Sequence, residues 1–319
     1  MSNYRKISLL CSKPPTIRFE EGLERCITVM IDHLKKQLDK VLPDCPDLIV
    51  LPECCDRFPN FNPKQRNEYY KYRGNRIRDY LCGIAKEQRC YIAYSAVREV
   101  CGDKEFPFRN SIQLIGRNGE IEGVYDKNHC VIEENSIYQI GYGCEAKVIQ
   151  LDFGRVACAI CFDLNFDELL EQYISQKPDI ILFSSAYHGG LRQERWAHAC
   201  RAYFAGAVIA DEGRVLSPLG QTIACTSNYY DFTTVSINLD YKVVHIDYNE
   251  EKIYQAKRKY GDGIIMHAPS HIGAVLLTCE RDDMTIDDII KEFKIELIDD
   301  YFNRARKHRS KYFEDRKDI

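Results

Sequence analysis

Residues 156–170 read VACAICFDLNFDELL, an apolar run that ends abruptly at Cys161, followed by a polar turn and the start of an amphipathic helix. A strand that turns sharply into a helix exposes one side chain at the edge of a sheet, which is how many nucleophiles are presented. Free cysteine is also among the residue types most often buried in a core. These residues alone therefore leave Cys161 open as a nucleophile or as an inert core thiol.

Composition and charge are those of a globular protein and argue against a nucleic-acid-binding or membrane protein. The 319 residues are 45% hydrophobic and 29% charged, with a formal net charge of −4, as in an ordinary globular protein. Nucleic-acid-binding proteins usually carry a basic face, so we expect no nucleic-acid partner. No run approaches the roughly 18 apolar residues of a membrane span, and the first apolar segment, 7–11, is too short for a secretory signal. We therefore expect a cytoplasmic protein that does not associate with membranes.

The fifteen cysteines are odd in number and irregularly spaced, whereas disulfide frameworks belong to short secreted chains. We therefore expect reduced thiols. Cys158 and Cys161 form a C-x-x-C pair, but residues three apart on a strand point to opposite faces, which argues against a metal site. His267 and His271 have H-x-x-x-H spacing, but Pro269 makes a helical metal site improbable. No metal or organic cofactor is expected.

Strand and helix patterns alternate along the chain, as in an α/β protein. Residues 45–53 and 177–185 share a pattern, since in each a Pro-Asp pair precedes an apolar strand and follows a strand and a helix. We interpret this pattern as a weak internal duplication, although Pro-Asp before a strand is also common turn chemistry. The predicted strands are 6–11, 47–51, 90–97, 111–115, 121–125, 147–151, 155–161, 180–185, 207–211 and 232–239, and the main predicted helices are 19–40, 166–175 and 191–205.

Glu53 and Lys127 are the residues that could activate a cysteine nucleophile. Both come directly after predicted strands, and charge at the carboxyl end of a strand often marks a site in α/β folds. A carboxylate in a closed apolar pocket has a raised pKa, so Glu53 could exchange protons with Cys161. An ammonium such as Lys127 would favour the thiolate and stabilise a developing oxyanion. Each residue taken alone is better explained as part of a strand-end salt bridge.

Three blocks together resemble the nitrilase superfamily of carbon–nitrogen hydrolases. They are LIVLPE at 48–53, YDKNH at 125–129, and GRVACAICFDLNFDE at 154–168, and they occur in the family's order and spacing. The likeness runs from about residue 6 to about residue 238. The resemblance implies a four-layer α-β-β-α sandwich, which we assign to residues 1–280. Residues 281–319 are dense in charge, and we interpret them as a helical extension with a possible role in oligomer contacts.

The resemblance also implies roles for individual residues. Cys161 would be the nucleophile, Glu53 the general base, and Lys127 an oxyanion donor together with the backbone N–H of Phe162. The family's second glutamate lies in an E-x(6)-G segment, which residues 134–141 match, so Glu134 would orient Lys127 or the substrate. The neighbouring Glu133 is the alternative candidate for the second glutamate. The family requires no cofactor, and its members lead us to expect a homodimer or a larger homo-oligomer.

Several residues depart from the family pattern and bear on the substrate. Asp163 follows the amidase form of the cysteine block, which favours amides over nitriles. Asn165 and Asp167 stand where family members often have Arg and Pro, which weakens the case for a substrate carboxylate held there by a guanidinium fork. Residues 203–205 read YFA where the family commonly has a Glu-Asn pair.

Candidate pocket residues follow from position and size. Tyr187 and His188 follow the second Pro-Asp strand, whose carboxyl end should face the same cleft as Glu53. Phe58, Phe162 and Trp196 could supply apolar walls. For each of these five candidates, ordinary packing is the better explanation.

The sequence leaves three functions open. The first choice is hydrolysis of a small N-carbamoyl compound, because the 127–129 block and the short 134–141 segment look like that branch of the family. The runner-up is a simple aliphatic amide or ω-amide. A function of another class, a catalytically idle scaffold or a redox-sensing thiol protein, is suggested by the many cysteines.

Overall fold

The computed structural model describes residues 2–314 and 316, which divide into two compact units. The larger unit comprises residues 5–237, and the smaller unit comprises residues 2–4 together with 238–314 and 316. Each unit has a hydrophobic core of its own. Among the described residues, no helix combines the length and the hydropathy needed to cross a membrane.

The larger unit is built from twelve strands and six helices in its described residues. The strands are β1 (Tyr4–Leu10), β2 (Leu48–Val50), β3 (Tyr91–Glu99), β4 (Phe108–Ile115), β5 (Ile121–Asp126), β6 (Ile149–Gln150), β7 (Arg155–Ile160), β8 (Ile180–Ser185), β9 (Tyr203–Val208), β10 (Arg214–Leu216), β11 (Thr222–Cys225) and β12 (Phe232–Asn238). The helices are α1 (Leu23–Leu38), α2 (Pro63–Arg73), α3 (Arg76–Gln88), α4 (Ile132–Ser136), α5 (Asp167–Gln176) and α6 (Leu191–Cys200).

Two six-stranded sheets repeat one topology. Their orders are β12-β1-β2-β3-β4-β5 and β11-β10-β9-β8-β7-β6. In the first sheet β1, β2 and β3 are parallel and β4 and β5 continue antiparallel. In the second sheet β7, β8 and β9 are parallel and β10 and β11 continue antiparallel. The helix α1 connects β1 to β2 as α5 connects β7 to β8, so the duplication predicted from the two Pro-Asp segments is present in the fold.

The sheets lie between two layers of helices. The hydroxyl of Ser184 on β8 donates a 2.7 Å hydrogen bond to the carbonyl oxygen of Leu51, just after β2, so the two sheets touch at their centres. Helices α1, α2 and α3 share a core with the first sheet, and α5 and α6 share one with the second. The whole of β2 is buried, as expected for a strand covered on both faces. The predicted α-β-β-α sandwich is confirmed.

Local patterns explain most element boundaries in this unit. Helix α1 buries one stripe, which consists of Cys26, Ile27, Met30, Leu34 and Leu38. It begins later than predicted because Gly22, with φ of 91°, separates it from a short 3-10 turn at Phe19–Glu21. The predicted strands 111–115 and 121–125 correspond to β4 and β5, which pair as an antiparallel hairpin.

One predicted helix was too long. The pattern predicted a helix over 191–205 and a strand over 207–211, but α6 ends at Cys200 and Arg201 takes the left-handed conformation with φ of 54°. The next residues form β9, which is buried throughout and pairs with β8 and β10. Pairing in the middle of a sheet outweighed the local helical pattern.

The smaller unit has a three-stranded antiparallel sheet that the sequence patterns did not predict. Its strands are β13 (Tyr241–His245), β14 (Ile264–His267) and β15 (Ala274–Cys279), in the order β13-β15-β14, and its helices are α7 (Glu250–Tyr260), α8 (Ile286–Glu292) and α9 (Ile298–Glu314). The predicted boundary at residue 280 falls inside this unit's core, because Cys279 and Ile286 both belong to it. Helix α9 lies in the charged extension and buries only Ile298. Residues 315 and 317–319 of the predicted extension lie outside the described residues.

Candidate active site

Three strands of the larger unit deliver the residues singled out from the sequence. Glu53 follows β2, Lys127 follows β5 directly, and Cys161 follows β7 directly. The first two strands belong to one sheet and the third to the other. The site is therefore assembled across the sandwich, at the place where the two related halves meet.

Lys127 is a buried cation with two carboxylate partners. Its ammonium lies 2.8 Å from Glu53 Oε1 and 2.8 Å from Glu134 Oε2. The side chain of Lys127 is 2% exposed and that of Glu53 is 5% exposed, so these charges interact with little screening by water. A buried charge is tolerated only when it is paired and hydrogen-bonded, and both conditions are met here.

Asn110, on β4, joins the two carboxylates from the other side. Its amide nitrogen donates to Glu53 Oε1 at 2.8 Å and to Glu134 Oε1 at 3.0 Å. The second oxygen of Glu53, Oε2, accepts the backbone N–H of Ala186 at 3.1 Å. Glu53 is thus fixed by three donors from three different segments of the chain.

A short helix places Glu134. Glu134 is the third residue of α4, and its Oε2 accepts the backbone N–H of Val131 at 3.0 Å in a capping arrangement. Glu133, the alternative candidate, is exposed. The structure therefore brings Glu134, and not Glu133, to Lys127.

Cys161 opens the turn between β7 and α5. Its φ of 47° lies in the left-handed region, which non-glycine residues seldom adopt and which often marks functional sites. Burial raises the pKa of its thiol to about 12, and the negative charge of Glu53 adds to this effect. Lys127, the Ala186 N–H and the Ser185 hydroxyl act in the opposite direction. The thiol is therefore protonated at neutral pH.

The protonation state of Glu53 differs from the one expected. A raised pKa was predicted, and burial does act to raise it, but the charge and hydrogen bond of Lys127 outweigh burial and lower the pKa. Arg57 and the amide of Asn110 add to the lowering. The pKa of Lys127 is raised, because Glu53 and Glu134 outweigh the effect of its own burial. Glu53 is an ionised carboxylate before substrate binds.

Asp163 links the block around Lys127 to the block around Cys161. Its fully buried carboxylate accepts the Tyr125 hydroxyl at 2.8 Å and the His129 backbone N–H at 2.8 Å. It also accepts the backbone N–H of Ile160 at 3.0 Å. Two of these donors come from residues 125–129, around Lys127, and one comes from the strand that ends at Cys161. Asp163 therefore fixes the position of Lys127 relative to Cys161.

The predicted pocket residues divide into two groups. Phe162 and Tyr187 are half-buried near Cys161, and the Tyr187 hydroxyl donates to Asn165 Oδ1 at 3.3 Å. His188 is also half-buried, with its Nδ1 accepting the N–H of Gly190 at 3.1 Å.

Phe58 and Trp196 are not brought to the site as walls. Phe58 is fully buried, and its ring packs 4.9 Å from Phe61 and 5.2 Å from Tyr69. Trp196 is 1% exposed and packs 6.2 Å from Tyr173. Both residues fill the cores between sheet and helices because large rings there remove the most apolar surface from water.

Sequence reasoning missed Asn110 and the donors at Ser185 and Ala186. Asn110 is fully buried inside a strand, and its register opposite Val97 is set by a long-range pairing. The only local signal was the polar pair Asn110–Ser111 at the start of an apolar strand. Ser185 and Ala186 carried a clearer signal, since they lie at the end of the second Pro-Asp strand, as Glu53 lies just after the first.

Comparison with known proteins adds independent evidence. The carbon-nitrogen hydrolase family matches residues 30–208, which is more than half of the chain and includes all four residues of the predicted catalytic set. The deaminated glutathione amidase of Dictyostelium discoideum is 23% identical over 244 residues, covering 65% of this chain and 81% of that protein. The chloroplastic omega-amidase of Arabidopsis thaliana is 20% identical over 269 residues, covering 72% of this chain and 70% of that protein.

Solved structures agree with the observed fold. Nit3 of Saccharomyces cerevisiae, a member of branch 10 of the nitrilase superfamily, matches with a TM-score of 0.58 at 17% identity. The match covers 74% of this chain and 90% of that chain.

Proposed function

The chain belongs to the carbon–nitrogen hydrolase family, and we propose that it hydrolyses a linear amide through a thioester formed on Cys161. Glu53 would carry the protons and Lys127 would stabilise the oxyanion. The observation that supports this best is the buried network in which Lys127 lies 2.8 Å from both Glu53 and Glu134. A thiol beside such a network has a base and a cation within its reach, as nucleophilic catalysis requires.

The first half of the proposed reaction forms the thioester and releases ammonia. The Cys161 sulfur attacks the amide carbon while its proton passes to Glu53, and the carbonyl π bond opens to an oxyanion. The oxyanion then reforms the carbonyl as the C–N bond breaks. The departing nitrogen takes the proton from Glu53, so ammonia leaves and Glu53 is again a carboxylate.

The second half returns the enzyme to its starting state. Glu53 removes a proton from water, and the resulting hydroxide attacks the thioester carbon. The second oxyanion collapses, the C–S bond breaks, and the sulfur recovers its proton from Glu53. The product is a carboxylic acid, and no atom or electron is left unaccounted for.

Hydrogen-bond capacity assigns these tasks to particular atoms. Glu53 Oε1 already accepts from Lys127 and Asn110, whereas Oε2 accepts only from Ala186, so Oε2 retains a lone pair for the thiol proton. The Lys127 ammonium uses two of its three N–H groups on Glu53 and Glu134. The third N–H is left for the oxyanion, which the backbone N–H of Phe162 would also bind.

The protonation states define when the proton moves. With the pKa of Cys161 near 12 and that of Glu53 lowered, transfer from thiol to carboxylate is unfavourable in the free enzyme. It becomes favourable only as the new C–S bond forms and the sulfur loses its basicity. Glu53 therefore acts as a general base during attack and does not create a thiolate in advance.

Amides are the substrates that we place first. The relatives named above are called amidases, and Asp163 stands where the amidase form of the cysteine block has its acid. Hydrolysis of N-carbamoyl compounds, the first choice from the sequence, remains a prediction and belongs in any substrate panel. The homo-oligomeric state and the cytoplasmic location are also still predictions.

The test is ammonia release from a panel of amides and N-carbamoyl compounds. Wild-type protein should release ammonia and acquire an acyl mass during turnover, and Cys161→Ala should lose at least about a thousandfold in rate. Cys144→Ala is the matched control, because Cys144 is exposed and lies outside the network, and it should retain wild-type rates. Full activity in Cys161→Ala would refute the scheme. If a thiol reagent modifies many cysteines to a similar extent and no ammonia is released, the redox-sensing thiol protein is favoured instead.

A further inference from the structure

Arg57 is a cation near the site that the proposed reaction does not use. It lies four residues after Glu53, in the loop that follows β2. The loop is well anchored, since the backbone N–H of Arg57 donates to Cys54 at 2.9 Å and that of Cys55 donates to Ser95 at 3.0 Å. Asp56, the residue before Arg57, is fully buried and paired with Arg73 at 2.5 Å. The backbone thus holds Arg57 in a fixed place beside Glu53.

The guanidinium of Arg57 lacks the carboxylate partner that several half-buried arginines of this chain have. Arg98, Arg109 and Arg117 are half-buried, and each pairs with an aspartate at 2.9 Å or less. Arg57 is also half-buried, yet over residues 2–314 and 316 no carboxylate lies within ion-pairing distance of it and its guanidinium makes no hydrogen bond. A partly desolvated guanidinium without a partner carries a free-energy cost that an incoming anion would remove.

Arg57 also influences the reacting groups electrostatically. Burial acts to raise the pKa of Glu53, and Arg57 is among the charges that lower it. Cys54, Tyr70, Glu53 and Glu134 in turn raise the pKa of Arg57 against its own desolvation. Its place in the loop four residues after Glu53, together with this mutual influence, puts Arg57 within electrostatic reach of Glu53 and Glu134.

A purely supporting role for Arg57 accounts less well for these contacts. Glu134 is the carboxylate that Arg57 could be needed to neutralise, but its oxygens already accept from Lys127 at 2.8 Å, Asn110 at 3.0 Å and the Val131 N–H at 3.0 Å. Arg57 makes no direct bond to Glu134 or to Glu53. The donors of its guanidinium remain available to a ligand.

We infer that Arg57 binds a carboxylate of the substrate, so that the preferred substrates are amides that also carry a free carboxylate. This inference rests on the proposed amide hydrolysis at Cys161. A guanidinium presents two parallel N–H groups that match the two oxygens of a carboxylate. The cation that selects the substrate would then come from the loop after Glu53, and not from position 165, where this chain has Asn165.

The test compares the monoamide of a short dicarboxylic acid with the diamide of the same acid. The two compounds match in shape and differ in one charge. Wild-type protein should prefer the monoamide, and Arg57→Met should reduce this preference by about tenfold or more, mainly through KM for the monoamide. Arg57→Lys should retain part of the preference because it keeps the charge without the fork.

Arg66→Met is the matched control. Arg66 is also half-buried and has no carboxylate partner among the described residues, but its guanidinium donates to Pro59 at 3.2 Å and lies 5.0 Å from the Tyr138 ring. Its loss should change the preference by less than about twofold. Equal losses on both compounds in Arg57→Met would overturn the inference, because Arg57 would then only support Glu53. A wild-type protein without preference for the monoamide would overturn it as well.

A binding measurement separates this inference from the proposed function. Calorimetry with the dicarboxylate itself requires no turnover, and we expect its Kd to rise by about tenfold in Arg57→Met. If no amide releases ammonia while this difference persists, the reaction is wrong and the carboxylate site stands. If amides are hydrolysed and the dicarboxylate binds both proteins equally, the reaction stands and the carboxylate site is refuted.

Discussion

The phenol of Tyr125 donates a 2.8 Å hydrogen bond to the buried carboxylate of Asp163, and this bond ties the strand before Lys127 to the turn that opens at Cys161. Asp163→Asn replaces one acceptor oxygen by a donor, so some of the donors that face it lose their acceptor. We expect a loss of about 2 to 4 kcal/mol in unfolding free energy. We also expect kcat to fall by about tenfold or more, because the position of Cys161 relative to Lys127 is disturbed.

Urea unfolding and steady-state kinetics check this prediction. Asp167→Asn is the control. Asp167 is a half-exposed acid at the start of α5, and its partner Arg195, 2.7 Å away, is about equally exposed. This substitution should leave the unfolding free energy nearly unchanged, because exposed ion pairs contribute little. Similar effects from the two substitutions would show that Asp163 has no special part in holding the site.

Arg73 is expected to be the most costly arginine to remove. Its guanidinium lies 2.5 Å from Asp56, both side chains are almost fully buried, and Asp56 also accepts the Tyr94 hydroxyl at 2.5 Å. Arg73→Met would leave a buried carboxylate without its cation, at a cost of about 3 to 5 kcal/mol. Chemical denaturation should show this loss, whereas Arg76→Met, which breaks the exposed pair with Glu24, should leave the unfolding free energy nearly unchanged. A loss below that of Arg76→Met would contradict the prediction.

The raised pKa of Cys161, about 12, predicts how the free thiol reacts. Because the thiolate is the reactive species, modification by a small thiosulfonate without an amide group should accelerate about tenfold per pH unit between roughly pH 7 and 10. The four exposed cysteines, Cys45, Cys101, Cys144 and Cys225, should first be replaced so that the signal reports on the site. A rate independent of pH over this range would mean that a thiolate already exists.

Asn110 should set the acid limit of activity. Its amide donates to Glu53 and Glu134 and is one of the groups that lower the pKa of Glu53. Asn110→Leu should therefore raise that pKa and shift the acid limb of kcat/KM to higher pH, with kcat reduced about tenfold or more. Gln113→Leu, a substitution of another buried polar residue on β4, should leave the limb in place. If the acid limb of Asn110→Leu does not shift, Asn110 does not help to set the pKa of Glu53.

Short-range patterns were enough to predict that Glu53, Lys127 and Cys161 lie at the ends of strands, whereas their catalytic roles came from the family resemblance. Each follows an apolar strand, and a strand's end is marked by neighbouring residues such as Pro52 and the polar turn after Cys161. The two halves of the sandwich were visible for the same reason, since Pro-Asp turns are local. Features of this kind depend on a few consecutive residues and can be inferred without the fold.

Features that depend on distant partners were missed. Asn110 reaches Glu53 only because β4 pairs with β3, which itself pairs with β2. The lowered pKa of Glu53 depends on Lys127, a residue more than seventy positions away in the chain. The first half of β9, residues 203–205, was predicted as helix because its pairing with β8 is not encoded in local periodicity.

Lys127 gives the last prediction, in which the effect of pH has a definite sign. In wild type the pKa of Glu53 is lowered, so its contribution to stability is present above its unfolded pKa and is lost as the pH falls. The pKa of Lys127 is raised, so its contribution is present below its unfolded pKa and is lost only in strong alkali. Lys127→Met leaves Glu53 and Glu134 buried without a cation, which should cost about 3 to 5 kcal/mol near pH 8.

The same substitution raises the pKa of Glu53, because burial then acts without the opposing ammonium. The folded variant takes up protons more readily than the unfolded chain, so its stability rises as the pH falls while that of wild type declines. The difference in unfolding free energy between the two proteins should therefore shrink from pH 8 to about pH 5. Urea unfolding at pH 8 and at about pH 5 measures this difference. Lys177→Met, at an exposed lysine, is the control. A difference that stays constant or grows toward low pH would show that Lys127 is not the counter-ion of Glu53.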